Sequence, residues 1–294
     1  MIRKGFSSLG TVLLYLISLL PFFVLYLIAD FIYLVLFYVI KYRRAVVQQN
    51  LANAFPEKPL HERQQIEKKY YRYLADLMVE TVKLRTISRR QVDRRFTVTN
   101  YEAVEKAFAG GQSVIGAVGH YGNWELGALK FSILTDKPRL VVYKPLNNLI
   151  FNSYFTRMRS RFGASLVPMK GAMRKMVELR RQQTMTLLVS DQIPSREEVT
   201  YFTNFLNQPT AVFLGVEKLA KSLNSAVIFC DIRRIKRGYY NCNFVPLFYD
   251  AKHTAEYEIT NAHVRYLEQV IREEPQYWLW SHKRWKYKPE DIAK

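Results

Sequence analysis

Cysteine is nearly absent from this chain. Its two copies, Cys230 and Cys242, stand twelve positions apart. They lack the paired spacing of a zinc site or a redox motif, so they read as reduced residues of a cytosolic domain rather than as a disulfide framework. Histidine is scarce too: His61, His253 and His263 are isolated, without ligand spacing around them, and no bound metal is expected. Acidic residues are in short supply, 25 against 44 Lys and Arg, which leaves a formal net charge of +19. That imbalance points to acidic partners (phosphate-rich lipid surfaces, acidic proteins or nucleic acid) without choosing among them. There is no internal repeat and no low-complexity tract. A hydrophobic content of 49% excludes a disordered chain, and 294 residues suffice for one large α/β domain plus an anchor, or for two modest domains.

Long apolar runs are also few, but one is conspicuous. Thr11 to Ile40 reads TVLLYLISLLPFFVLYLIADFIYLVLFYVI, about 45 Å of helix against a hydrocarbon core of about 30 Å. Pro21 offers a kink and Asp30 is costly in lipid, so either one tilted span or a re-entrant pair of short helices fits better than a straight rod. The Asp30 carboxylate is expected near an interface. No small-residue cleavage site follows, which favours a retained anchor over a signal peptide. Arg3 and Lys4 precede the run, and the larger cluster of Lys41, Arg43 and Arg44 follows it, favouring a cytoplasmic catalytic domain.

The chain divides into an anchor (1–41), a helical juxtamembrane segment (42–95) and an α/β domain (96–294). FPEKP at 55–59 breaks the juxtamembrane segment into two helices. From Leu60 to Arg85, Ile66, Tyr70, Tyr73, Leu74, Leu77 and Val82 recur at helical steps. Beyond residue 95, strands are predicted at Ser113 to Val118, Arg139 to Tyr143, Ser165 to Pro168, Thr184 to Ser190, Ala226 to Ile235 and Tyr239 to Phe248. The last two flank Lys236, Arg237 and Gly238 and read as a hairpin. Helices are predicted at Trp124 to Leu134, Asn148 to Phe162, Ala172 to Gln182, Ala211 to Leu223 and Ala255 to Glu274. Strands alternating with helices imply a mostly parallel central sheet flanked by helices.

SVIGAVGHYGNWELGALKF combines a buried strand, a glycine-punctuated turn and an amphipathic helix. Open α/β sheets place ligands at the carboxyl ends of strands, where this turn puts His120. Gly119 and Gly122 permit close backbone approach, and Asn123 is a good N-cap for a helix starting at Trp124. Trp124 itself reads as a core anchor. Residues five apart on one helix point about 140° from each other, so His120 and Glu125 are not expected to share a continuous helix. With His120 in the turn and Glu125 in the first helical turn, the carboxylate can fold back onto one ring nitrogen. The histidine then takes a proton from a hydroxyl, and exposed helix-start amides or a nearby Arg serve the oxyanion. The competing reading makes Glu125 a complement to the helix dipole and His120 a turn residue.

Five ordered elements resemble the lipid A late acyltransferases, within the wider glycerolipid acyltransferase superfamily: YRRAVVQQNLANAFPEK (42–58), GHYGNWE, VYKPLNNLIFNSYFTRMRSRFG (142–163), LLVSDQ (187–192) and EEPQYWLWSHKRWKYKP (273–289). The resemblance implies transfer of a fatty acyl chain from acyl carrier protein, or from acyl-coenzyme A, to a hydroxyl of a lipid A precursor. The reaction would lie at the cytoplasmic face of a bacterial inner membrane, without a bound cofactor. It makes His120 the base and Glu125 its partner, and places Arg157, Arg159, Asp191 and Gln192 near the cleft, with Asn123 also counted among candidate substrate-binding residues. Arginines at i and i+2 do not share a helix face, so at most one is expected to reach substrate. Where many members show Phe-Phe-Gly, this chain has Phe205, Leu206 and Asn207. That departure leaves a lysophospholipid or aminolipid acceptor as an alternative, and a non-enzymatic basic membrane scaffold as a third reading. The aromatic, basic segment PQYWLWSHKRWKYKP also suits single-stranded nucleic acid. Beside an anchor it suits phospholipid headgroups or packing of a tail better, so nucleic acid is not expected as a partner, and His282 within it reads as structural.

Overall fold

The computed structural model describes residues 2–291. The apolar run forms two helices rather than one: α1 (Ile2–Leu19) ends before Pro21 and α2 (Phe22–Leu34) begins after it, continuing through a single π-helical turn at Val35–Val39. Proline lacks the N–H and the φ freedom to continue α1, so the break falls where its ring forbids helix. Phe22–Val39 is 18 residues of apolar helix, long enough by length and composition to cross a membrane. The side chains of Arg3 and Lys4 lie outside the described residues.

Two further helices, α3 (Arg44–Ala54) and α4 (Leu60–Lys83), flank the FPEKP break. One face of α4 buries Tyr70, Tyr73, Leu74 and Leu77, the face predicted from their spacing. A short α5 (Arg89–Arg95) starts on a capping box between Ser88 and Gln91 and leads into β1 (Phe96–Thr99). The rest runs α6 (Glu102–Ala109), β2 (Val114–Val118), α7 (Trp124–Phe131), β3 (Arg139–Tyr143), α8 (Leu149–Arg159), β4 (Ser165–Pro168), α9 (Ala172–Glu178) and β5 (Met185–Val189). There follow β6 (Phe202–Phe205), β7 (Gln208–Ala211), α10 (Gly215–Leu223), β8 (Ala226–Lys236), β9 (Tyr239–Phe248) and α11 (Glu258–Glu273).

Seven strands form one sheet in the order β1-β9-β8-β2-β5-β3-β4. All pairs are parallel except the β8–β9 hairpin. The chain is therefore the expected α/β fold with a mostly parallel sheet. The central strand β2 is buried at every residue, which is why VIGAV is continuously apolar instead of alternating. Predicted strands beyond residue 95 all occur, with helices a few residues shorter at their ends. β1 was not anticipated, nor was the separate β6–β7 hairpin, whose first residues past the turn had been assigned to the start of α10. Its two-residue turn, Leu206–Asn207, adopts positive φ at both positions (52° and 62°) without a glycine. Asn tolerates that region. Leu206 is held there by complete burial, and Asn207 Nδ2 donates to the Ala54 carbonyl at 3.1 Å. Cys230 and Cys242 are both reduced and buried, on neighbouring strands of the hairpin.

The carboxyl-terminal segment after α11 crosses the same end of the sheet where β2 and β5 stop. Trp278 and Trp280 are buried within it, and Asn50 donates from α3 to the carbonyls of Trp280 (2.8 Å) and His282 (3.1 Å). Phe55 packs against Trp280. The Asn-Leu and Phe-Pro elements early in the chain thus serve as the seat for its last aromatic segment, which is core and not a free basic tail.

Candidate active site

Strands β2 and β5 are parallel neighbours in a register that sets Val118 opposite Val189. Two residues past each strand end, His120 and Asp191 therefore emerge side by side. Gly119 and Gly122 let the chain turn there. A Cβ at Gly119 would stand 2.6 Å from Leu267, and Gly122 has φ +57° with Ile232 where its Cβ would be.

The His120 backbone N–H donates to Asp191 Oδ2 at 2.8 Å, and the ring Nδ1 lies 2.5 Å from Oδ1. Trp278 Nε1 donates to Oδ2 at 2.8 Å. Burial by itself pushes the Asp191 carboxyl up. The facing His120 and the hydrogen bonds from the imidazole, the indole and the His120 amide outweigh it, leaving the pKa lowered to about 2. An ionised carboxylate accepts only, so Nδ1 carries the proton and Nε2 is left with its lone pair. At Nε2 the ring meets Gln192 Nε2 at 3.1 Å. Trp124 packs edge-on against the imidazole, centroids 4.8 Å apart. His120 is partly exposed while Asp191 is buried, so the ring has an open side and its orienter has none.

Glu125 does not hold His120. It binds Arg159 through both oxygens, Nε to Oε2 at 2.8 Å and Nη2 to Oε1 at 2.5 Å, and makes no hydrogen bond to the imidazole. The expected His120–Glu125 pair is thus corrected. From the first turn of α7, Glu125 points to the last turn of α8, and the place beside Nδ1 belongs to Asp191 across the β2–β5 boundary. Of the two arginines, Arg159 is drawn into the site and Arg157 stays exposed, as their i, i+2 spacing requires.

Asn123 is corrected as well. It is fully buried, its Oδ1 caps Leu126 N–H at 2.8 Å and its Nδ2 donates to Glu80 at 2.7 Å, so neither end faces substrate. Glu80 also takes hydrogen bonds from Tyr26 and Tyr240, and burial raises its pKa. Its role is to tie α2, α4, α7 and β9 together beneath the turn.

Sequence reasoning missed Trp278 as a site residue. The signal was in the closing aromatic segment, but nothing in one dimension says which indole reaches Asp191. Behind Asp191 lies a small internal cavity lined in part by Ser190, His263, Leu267 and Arg284. The Arg284 Nε and Nη1 and the His263 Nε2 have no hydrogen-bond partner there. Burial lowers His263 to about 4 and Arg284 to about 10. The Phe205-Leu206-Asn207 segment also faces inward: Phe205 packs on Trp278 and Leu206 is buried. It does not line an open groove, and Asn207 adopts the left-handed turn position that a glycine favours. The departure at this segment therefore gives no support to a changed acceptor.

Comparison with known proteins agrees with this architecture. Residues 1–287 match the family described as bacterial lipid A biosynthesis acyltransferase. A lipid A biosynthesis acyltransferase of Haemophilus influenzae is 25% identical over 189 residues, covering 64% of this chain and 58% of that protein. The lipid A biosynthesis palmitoleoyltransferase of Escherichia coli K12 is 22% identical over 251 residues, 85% of this chain and 81% of that protein. A lipid A biosynthesis acyltransferase of Shigella flexneri gives the same coverage at 22% identity.

Proposed function

This chain belongs to the bacterial lipid A biosynthesis acyltransferase family, enzymes that transfer acyl groups, and from that premise we propose that it moves a fatty acyl chain from the thioester of acyl carrier protein to a hydroxyl of a lipid A precursor. The reaction takes place at the cytoplasmic face of the inner membrane, with His120 as general base and Asp191 as its orienter. The acceptor hydroxyl displaces Gln192 from Nε2, gives its proton to that nitrogen and attacks the thioester carbonyl. Asp191 stabilises the imidazolium without taking the proton. As the tetrahedral intermediate collapses the C–S bond breaks, and the thiolate leaves with the proton held by His120. The products are an ester and a free thiol, and no external oxidant or cofactor enters the balance.

The observation that carries this reading is the His120–Asp191 contact at 2.5 Å, with Nε2 on the open side. For the oxyanion the reading assigns the Trp124 and Glu125 amides at the start of α7, which as first-turn donors have no intrahelical acceptor. The Glu125–Arg159 pair clamps α7 to α8 and so fixes the turn that carries His120.

Lipid mass spectrometry of a deletion strain tests the acceptor. Loss of one acyl chain from lipid A is the expected result. An unchanged lipid A with a missing polar lipid would refute the acceptor assignment. Purified protein given acyl carrier protein or coenzyme A thioesters tests the donor, and faster turnover with coenzyme A would refute the carrier-protein assignment.

A further inference from the structure

Away from His120, an open cleft of about 700 Å³ lies between α2, α4 and the β8–β9 hairpin. Five cations line it: Lys69, Arg72, Arg234, Lys236 and Arg237, against two carboxylates, Asp30 and Asp76. The carboxylates are already used. Asp76, buried, takes Arg234 at 2.8 Å and Arg237 at 2.6 Å, and Arg237 also reaches Asp30 at 2.6 Å. Lys69, Arg72 and Lys236 are exposed and make no ion pair among the described residues. Each is oriented nonetheless, Arg72 over the Tyr33 ring and Lys236 over Tyr239.

The cleft adjoins a lipid-facing surface. Phe23, Leu27, Phe31 and Leu34 project from the outer side of α2 and are at least half exposed, while Leu25, Ala29 and Tyr33 pack inward. Asp30 sits within that helix, and an ion pair to a β-hairpin at that point cannot lie in the hydrocarbon centre of a bilayer without a large penalty. α2 therefore lies along the domain with its apolar side in the lipid and its charged side at headgroup depth. Ile235, 66% exposed at the hairpin end, lies beside the same cleft.

We propose that this cleft binds the phosphate group of an anionic membrane lipid, with Lys69, Arg72 and Lys236 as the phosphate ligands and Arg234 and Arg237 holding the walls in place through Asp76. Tyr73 and Tyr277 form its floor. Tyr73 donates to the Gly122 carbonyl at 2.5 Å and the Gly122 amide donates to Tyr277 O at 3.0 Å. A lipid held here thus lies behind the turn that carries His120. The site is independent of the acyl-transfer reading, since it needs only lipid binding.

Native mass spectrometry of the full chain in detergent, titrated with phosphatidylglycerol and separately with phosphatidylcholine, tests it. The wild type is expected to retain phosphatidylglycerol preferentially. The combined Lys69→Gln, Arg72→Gln, Lys236→Gln variant is expected to bind it on the order of 100-fold more weakly, from a factor of about five per basic residue. Its melting temperature should be unchanged, because none of the three is ion-paired. A control with the same loss of charge at the exposed Lys170, Arg180 and Arg181 is expected to keep the preference. Equal retention of both lipids, or the same weakening in the control, overturns the proposal. So does displacement of the lipid by millimolar inorganic phosphate, which would make this a free-phosphate site.

Discussion

Replacing Asp191 by Asn separates the two candidate orienters of His120. The carboxylate now accepts from the imidazole Nδ1–H at 2.5 Å, from the His120 amide at 2.8 Å and from Trp278 at 2.8 Å. An Asn has one acceptor oxygen, and both N–H donors on Oδ2 compete for it. Satisfying them turns the amide NH2 toward Nδ1, which must then accept. The ring proton moves to Nε2 and the base is lost. Loss of the negative charge also removes the stabilisation of the imidazolium. A fall in kcat of about 10⁴ is expected for such a tautomer reversal, about 5 kcal/mol in the transition state. The assay is turnover of purified protein with an acyl thioester and a lipid acceptor, with circular dichroism showing that the fold persists. Turnover within about tenfold of wild type, in a folded protein, would refute the assignment of Asp191.

Glu125→Gln leaves the Arg159 charge without its partner. Because that pair is mostly buried, a stability loss of about 1–3 kcal/mol is expected in a thermal melt, with kcat reduced far less than in Asp191→Asn; a loss as large as that of Asp191→Asn would restore Glu125 as the orienter. Trp278→Phe keeps the ring packing and removes one hydrogen bond to a charged acceptor, about 1.5–3 kcal/mol, so kcat should fall roughly 10- to 100-fold. Unchanged kcat would mean that the indole only packs. Burial holds His263 at about 4, below the ordinary value near 6.5. The unfolded chain therefore binds more protons between those values. The stabilisation is present above about pH 6.5 and is lost as pH falls toward 4, amounting to about 3 kcal/mol. Thermal melts across that window should show this slope, and His263→Gln should flatten it. An identical slope in the variant would contradict the assignment.

The strands were legible because a central parallel sheet writes itself as short, continuously apolar runs such as VIGAV and MTLLV, and the β8–β9 hairpin carried its glycine. Strand β1 was not, because four residues at a sheet edge pair with β9 some 140 positions later and leave no periodic trace. The β6–β7 hairpin hid behind a turn of Leu206 and Asn207, where burial substitutes for the usual turn residue. In the site, His120 could be placed from the strand, the turn and the N-cap that follow one another in the chain. Its partner could not be placed that way. The local spacing suggested Glu125, whereas the register of β2 against β5 brings in Asp191 from seventy residues away. The strand ending in Asp-Gln was visible in the sequence, but its register against β2 belongs to the sheet. Trp278 shows the same limit: a segment readable as aromatic and basic proved to be core, and one of its indoles holds the carboxylate.

The measurement that bears most directly on the central claim is acyl transfer by purified His120→Ala, followed by mass spectrometry of the lipid acceptor. Wild-type protein is expected to add the mass of one acyl chain with release of the donor thiol, and the variant, folded and still membrane-bound, to add none above the uncatalysed background. Turnover retained in His120→Ala would contradict the assignment of this imidazole as the base.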